Sequence, residues 1–272
     1  MTAAGLTHNA GQKSAPNSAL KAAAGLWFLV ALIGQWAFVY YIGLFYGAST
    51  LTGNFQAWNR NTNLIKGYVA GDTAGNLFFA AHAFFALVIA FGGALQLLPQ
   101  IRERAMAVHR WNGRLFMFTA LGVSLSGLYL IWVRGSSPTF LGALSTSLNA
   151  VLIIACVGLS WRAAAVTHDI CAHRRWALRA YLVANGQWFF RVGIFAVAVL
   201  EPHFADRFLV IWGFGCSLIP LAVLELYLRA RDDGGPVAQS AMAGGLVALA
   251  TLAGLGIVGL YLSMWRSLLL GA

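Results

Sequence analysis

Long uninterrupted apolar runs constrain this chain more than any other feature. Several of them reach the length of about 20 residues that a helix needs to cross the hydrocarbon core of a bilayer. Hydrophobic residues make up 60% of the 272 residues and charged residues only 10%, whereas charged residues form about a quarter of a soluble domain. The sequence therefore predicts an all-α integral membrane helical bundle, surrounded by the lipid bilayer and without a separate soluble domain.

Breaks at proline, glycine and charged residues divide the apolar runs into about seven predicted membrane helices. They cover residues 25–48, 77–98, 115–133, 140–161, 176–200, 208–228 and 241–262. Residues 1–24 are predicted to form a cytoplasmic tail, and 25–272 a single transmembrane bundle whose core helices lie within 77–200. The polar segment 49–76 is long enough to fold over the bundle as a small cap.

The basic residues are concentrated at one set of helix ends. The net charge is +10, and arginines follow the second, fourth and sixth predicted helices. Arginine-rich loops remain on the cytoplasmic side of a membrane. Seven crossings with a cytoplasmic N-terminus place all of these loops on that side, so we attribute the positive charge to membrane topology and expect no nucleic-acid partner.

Two short motifs repeat the same order of residues. One occupies 109–114 (HRWNGR) and the other 173–179 (HRRWALR). Each begins with a His-Arg pair, has a tryptophan shortly after it, and has an arginine three residues beyond the tryptophan. The motifs precede or begin the third and fifth predicted helices, which run in the same direction, so His109 and His173 are expected at the same depth.

Two histidines opposed across a helical bundle are a common axial pair for the iron of haem b. We therefore interpret His109 and His173 as candidate iron ligands, with His168 as an alternative to His173. Motif arginines are candidate partners of the haem propionates, because a guanidinium binds carboxylates well. These candidates are Arg110, Arg114, Arg174, Arg175 and Arg179. The same motifs also fit the binding of lipid phosphates at a membrane interface, and both interpretations stay open.

Polar residues inside apolar helices are candidates for function, because such residues are costly in a membrane. His82 is one, but an outer haem would need a second ligand, and the fourth predicted helix has no histidine. Hydrogen bonding within the bundle, or a small-molecule site, is the more frequent explanation for such a histidine. Arg191 and Glu225 are the others: a pair between them would be structural, whereas an unpaired Arg191 indicates a quinone, proton or substrate pathway.

With these residues in view, the chain resembles a bacterial family of multi-pass membrane proteins of unknown function. The resemblance rests on His82 and on the motifs at 109–114 and 173–179, and it implies the bacterial inner membrane. More distantly, the arrangement is similar to four-helix b-type cytochromes of the cytochrome b561 and ferric-reductase kind, in which paired histidines on alternate helices hold haem. This second resemblance implies an inner haem only, because the fourth helix lacks the expected histidine.

Two hypotheses of function follow. The first is a membrane electron-transfer protein that binds haem b through His109 and His173, exchanges electrons with a protein partner or a quinone, and needs no catalytic acid or base. The second is a cofactor-free protein, either a small-molecule transporter or an accessory subunit of a larger respiratory or photosynthetic complex. In the second case the two motifs contact lipid or another subunit.

Overall fold

A computed structural model describes the backbone of residues 17–61, 65–201, 203 and 205–270, and the side chains of these residues except 205–207 and 270. Most of the described residues are helical, and the described residues contain no strand. Six helices are long and apolar enough to cross a membrane, and a bent pair of shorter helices brings the number to seven if it forms one span. The prediction of an all-α membrane bundle is confirmed.

The helices are numbered in chain order, and two of them continue through π-helical turns. α1 (Ser18–Ile42) continues through Gly43–Gly47, and the last helix, α9 (Pro236–Leu260), continues through Tyr261–Trp265. The others are α2 (Thr73–Leu97), α3 (Pro99–Arg104), α4 (Met106–Trp132), α5 (Phe140–Ala165), α6 (Ile170–Ala184), α7 (Gly186–Leu200) and α8 (Ala205–Asp233).

The helices form a closed ring. Going around it, α1 packs on α2, α2 on α4, α4 on α5, and α5 on α6. The ring continues from α6 to α8, from α8 to α7, and from α7 through α9 back to α1. The first and last spans of the chain are therefore neighbours.

Most of the helices begin earlier than the sequence predicted, and the difference is largest for α1 and α4. α1 begins at Ser18 rather than at 25, because the Asn17 side chain accepts a hydrogen bond from the Leu20 backbone N–H at 2.8 Å and so caps the helix. Part of the predicted 1–24 tail is thus helical, and residues 1–16 lie outside the described residues. α4 begins at Met106 rather than at 115, so the motif at 109–114 is helical and not part of a loop.

The fifth predicted helix is in fact two helices, α6 and α7, which meet at a bend of 53°. Asn185 stands at the break, where the next residue is Gly186. A break leaves backbone carbonyls without helical partners, and here the Asn149 side chain of α5 donates to the Val183 carbonyl at 2.8 Å. The same amide donates to Ser217 of α8 at 2.8 Å, so three elements are held together where the helix bends.

Arg134, just after α4, holds the loop that precedes α2. Its Nε lies 2.9 Å from an Asp72 carboxylate oxygen, and its Nη2 donates to the Asn76 side-chain oxygen at 3.0 Å. Its Nη1 donates to backbone carbonyls of the same loop, including that of Lys66 at 3.2 Å. The Arg134 side chain is only 9% exposed, so one guanidinium satisfies several backbone and side-chain oxygens at once.

We expect Arg134→Ala to loosen this loop without unfolding the bundle. Hydrogen bonds to a charged group contribute about 2 kcal/mol, so trypsin cleavage after Lys66 should become roughly 30-fold faster, since 1.4 kcal/mol corresponds to a factor of ten. The measurement is limited proteolysis of the detergent-purified protein followed by mass spectrometry. Arg174→Ala, which removes an exposed arginine elsewhere, is the control. Equal cleavage rates in the wild-type protein and the Arg134 variant would show that the loop is held by other contacts.

Candidate functional site

His109 lies on the face of α4 that packs against α2. The Asn112 side chain, three residues later on this face, donates to the Gly92 carbonyl of α2 at 2.8 Å. The Gln96 side chain of α2 donates to the backbone carbonyl of His109 at 2.9 Å. The Nδ1 atom of His109 is buried and has no hydrogen-bond partner among the described residues. A buried polar atom without a partner is costly, which marks His109 as a candidate for binding a group from outside the chain.

His173 lies near the start of α6, and its ring orientation is fixed by α5. Its Nδ1 is 3.0 Å from the Ser160 backbone carbonyl and 3.1 Å from the Ser160 hydroxyl. Because a carbonyl oxygen only accepts, Nδ1 carries the proton in the neutral ring, and Nε2 carries the lone pair. A hydrogen bond of this kind orients histidines that bind metals.

The structure brings His109 and His173 together at one end of the bundle, close enough for their charges to interact. Arg102 and Arg110 are also within electrostatic range of His109. In the described part of the chain, neither of these arginines nor Arg174 forms a salt bridge. This region, which we call the basic end, therefore combines two imidazoles with arginines that have no carboxylate partner.

Two of the candidate propionate partners make other contacts. Arg114 lies over the ring of Trp111, 4.9 Å from its centroid, and Trp111 is 69% exposed, so this pair faces outward. Arg179 forms a salt bridge with Glu225 at 2.7 Å and lies over Trp176. Arg114 faces away from His109 because of helical geometry. The two residues are five positions apart, and at 100° per residue this turns Arg114 to another face of α4.

Arg175 is also paired, with Asp232 at 2.6 Å. His168 has a positive φ of 54° in the turn before α6 and is exposed, so it does not share the inner face with His173. Of the candidate arginines, Arg110 and Arg174 thus remain without a carboxylate partner among the described residues.

His82 and Arg191 lie inside the ring, away from the basic end. The Nδ1 of His82 is 3.1 Å from the Val123 carbonyl of α4 and 3.3 Å from the Ser126 hydroxyl, which is the hydrogen-bonded state that the sequence favoured. Arg191 does not pair with Glu225, because Glu225 contacts Arg179. Its Nη1 donates instead to the Gln187 carbonyl, one turn earlier on α7, at 2.7 Å.

Several residues that hold the site were not identified from the sequence. They are Gln96, Asn112 and Ser160 at the basic end, and Tyr41 and Tyr46 near Arg191. The glycine at position 92 is the sequence feature that relates to one of these contacts. Gly92 leaves room for Asn112, because a Cβ added at Gly92 would lie 2.6 Å from the Asn112 side-chain oxygen. Among the residues that the structure describes, no three His, Cys, Asp or Glu side chains group so as to hold a metal ion.

Comparison with known proteins gives one family. Residues 79–228 match the family described as "Predicted membrane protein (DUF2306)". No curated protein and no solved structure matches the chain. The matched residues include most of α2 and α8 and everything between them, so the two histidine motifs and His82 all fall within the family region.

Proposed function

We propose that this chain, which belongs to the DUF2306 family of predicted membrane proteins, is a membrane electron-transfer protein that binds haem b through His109 and His173. The observation that carries the proposal is that both histidines lie at the basic end, near enough for their charges to interact. One has a buried ring nitrogen without a partner, and the other has its ring fixed by Ser160 so that Nε2 is available.

The residues present fit the group in donor type and in charge. Two neutral imidazoles are a common ligand set for a b-type haem, and the bound iron supplies one-electron redox chemistry. Arg102, Arg110 and Arg174 would neutralise the propionates, since each lies at the basic end without a carboxylate partner among the described residues. Arg114 and Arg179 are less suited, because they contact Trp111 and Glu225.

The protein side chains have simple roles in this proposal. The Ser160 carbonyl holds the proton on Nδ1 of His173 and thereby orients the ring. Gln96 and Asn112 tie α4 to α2 around His109, which limits the movement of its backbone. No residue is required to act as a general acid or base, because electron transfer needs none.

The membrane orientation is part of the proposal. Arg102, Arg104, Arg110, Arg174 and Arg175 lie near the basic end. Positive residues favour the cytoplasmic side. We therefore assign this end and the N-terminus to the cytoplasm, and the protein to the inner membrane of a bacterium, where it would exchange electrons with a protein partner or a quinone.

The test is the visible absorption spectrum of the detergent-purified protein, made with ample haem supply, before and after reduction with dithionite. We expect the sharp reduced bands of a six-coordinate b haem, and about one haem b per chain after extraction into alkaline pyridine. A colourless protein would contradict the proposal and leave the two motifs as contacts for lipid or a partner.

The exposed Trp111 and Arg114 favour a second candidate function, that of a cofactor-free accessory subunit. Arginine and tryptophan at a helix end are typical of contacts with lipid headgroups or another membrane protein. This candidate predicts a colourless protein that co-purifies with a larger complex from its native membrane. A protein that is stable and monomeric in mild detergent, without such a complex, would count against it.

A further inference from the structure

Arg191 is a cation inside the ring whose hydrogen-bonding capacity is largely unused. A guanidinium has five N–H donors, and among the described residues Arg191 uses one, toward the Gln187 carbonyl at 2.7 Å. The ring of Phe38 from α1 lies 6.0 Å from the guanidinium carbon, a distance at which a cation–π contact is weak. The side chain is only partly buried.

None of the described carboxylates neutralises Arg191. Asp72, Glu225 and Asp232 form salt bridges with other arginines. Four others lie exposed on the surface, namely Glu103, Asp169, Glu201 and Asp233. A charged side chain within a membrane span normally has a partner or faces a polar site. The described residues therefore supply no negative charge to pair with Arg191.

The groups around Arg191 come from three parts of the ring. The tyrosines Tyr41 of α1 and Tyr46 of the following π-helical turn lie within its electrostatic range, as does His82 of α2. The Tyr41 hydroxyl accepts a hydrogen bond from Asn61 at 2.8 Å and also shares a hydrogen bond with the Tyr46 hydroxyl. Because the Val123 carbonyl holds the proton on Nδ1 of His82, Nε2 of this ring is an acceptor.

We infer that Arg191 anchors a binding site for a small organic carboxylate, with His82 accepting a hydrogen bond from a hydroxyl group of the ligand. A guanidinium binds a carboxylate through parallel N–H donors, and the hydrogen-bonded pair of tyrosines keeps one hydroxyl proton that can be donated to the same oxygens. The ring of Phe38, which lies 6.0 Å from the guanidinium carbon, provides apolar surface for a short carbon chain. The preferred ligand is therefore a short hydroxycarboxylate.

This site is separate from the basic end. His82 and Gln96, which contacts the His109 carbonyl, are fourteen residues apart on α2, or about 21 Å along a helix that rises 1.5 Å per residue. Carboxylate binding at Arg191 therefore does not depend on haem. Loss of the pigment would leave this inference standing, and loss of carboxylate binding would leave the haem proposal standing.

The experiment is thermal unfolding of the purified protein in detergent, followed by tryptophan fluorescence, with sodium lactate, sodium propionate or sodium chloride at equal ionic strength. A ligand that binds only the folded state raises Tm with concentration. We expect an increase of roughly 5 °C near saturation with lactate, a smaller increase with propionate, and none beyond the ionic-strength effect with chloride.

Two variants distinguish the role of Arg191, which binds the carboxylate, from that of His82, which binds the hydroxyl group. Arg191→Gln should abolish the response to both acids, whereas His82→Ala should lower the lactate response to that of propionate. Size-exclusion chromatography first establishes that each variant is folded. The inference is overturned if neither acid raises Tm of the wild-type protein, if chloride raises it as much, or if a folded Arg191→Gln protein responds like wild type.

Discussion

Replacing either His109 or His173 with alanine is expected to abolish the haem absorbance of the purified protein. A six-coordinate b haem held by two imidazoles loses one of its two bonds to the chain in each variant, and the propionate contacts alone are too exposed to retain it. The expected loss is nearly complete, and it is measured as haem b per chain after extraction into alkaline pyridine, with protein quantified independently.

The matched control is His168→Ala. This histidine lies five positions from His173 but is exposed in the turn before α6, so its variant should keep full pigment. Ser160→Ala should keep it as well, because the carbonyl that holds Nδ1 of His173 belongs to the backbone. Full pigment in both the His109 and the His173 variant would show that these residues are not the ligands, whatever the colour of the wild-type protein.

The second large effect is expected from Gly256→Val in α9. A Cβ at Gly256 would run into the backbone carbonyl oxygen of Val192 in α7, and it would lie 2.8 Å from a Val192 methyl carbon. Small residues let membrane helices approach this closely. A backbone atom cannot move aside as a side chain can, so α9 must separate from α7, at a cost near the upper end for an overpacked interior, about 3 kcal/mol.

The measurement is the free energy of unfolding in mixed micelles of a mild detergent and sodium dodecyl sulfate, followed by circular dichroism. Gly254→Val is the matched control, because it lies in the same helix and a Cβ there has no neighbour within 4 Å. Both variants change the helix propensity equally. A similar free energy of unfolding for the two variants would mean that the α7–α9 contact does not limit stability.

The arrangement of spans was determined by the sequence alone. Apolar runs of membrane-crossing length can satisfy their backbone hydrogen bonds in a bilayer only as helices, so all seven regions were located before any contact was known. The position of His109 and His173 at one end also followed, because both begin spans of the same direction. Their binding of haem stays a prediction.

Contacts between helices were decided by the tertiary structure. The sequence alone leaves open whether Glu225 pairs with Arg191, and in the structure Glu225 pairs with Arg179 instead. The sequence fixes the position of a residue along a helix, but the partner depends on how each helix is rotated and tilted against its neighbours. The bend at Asn185 turns α7 relative to α6, and that rotation could not be read from a continuous apolar pattern.

The difference between local sequence and tertiary contacts also explains why one candidate site was predicted from the sequence and the other was not. The histidine motifs were visible because their spacing repeats within short stretches of chain. The surroundings of Arg191 were not, because Tyr41, Tyr46 and His82 come from distant parts of the sequence and meet only when the ring of helices closes. Burial in the bilayer is set by local hydropathy, whereas the composition of the space inside the bundle is set by packing, which joins residues far apart in the chain.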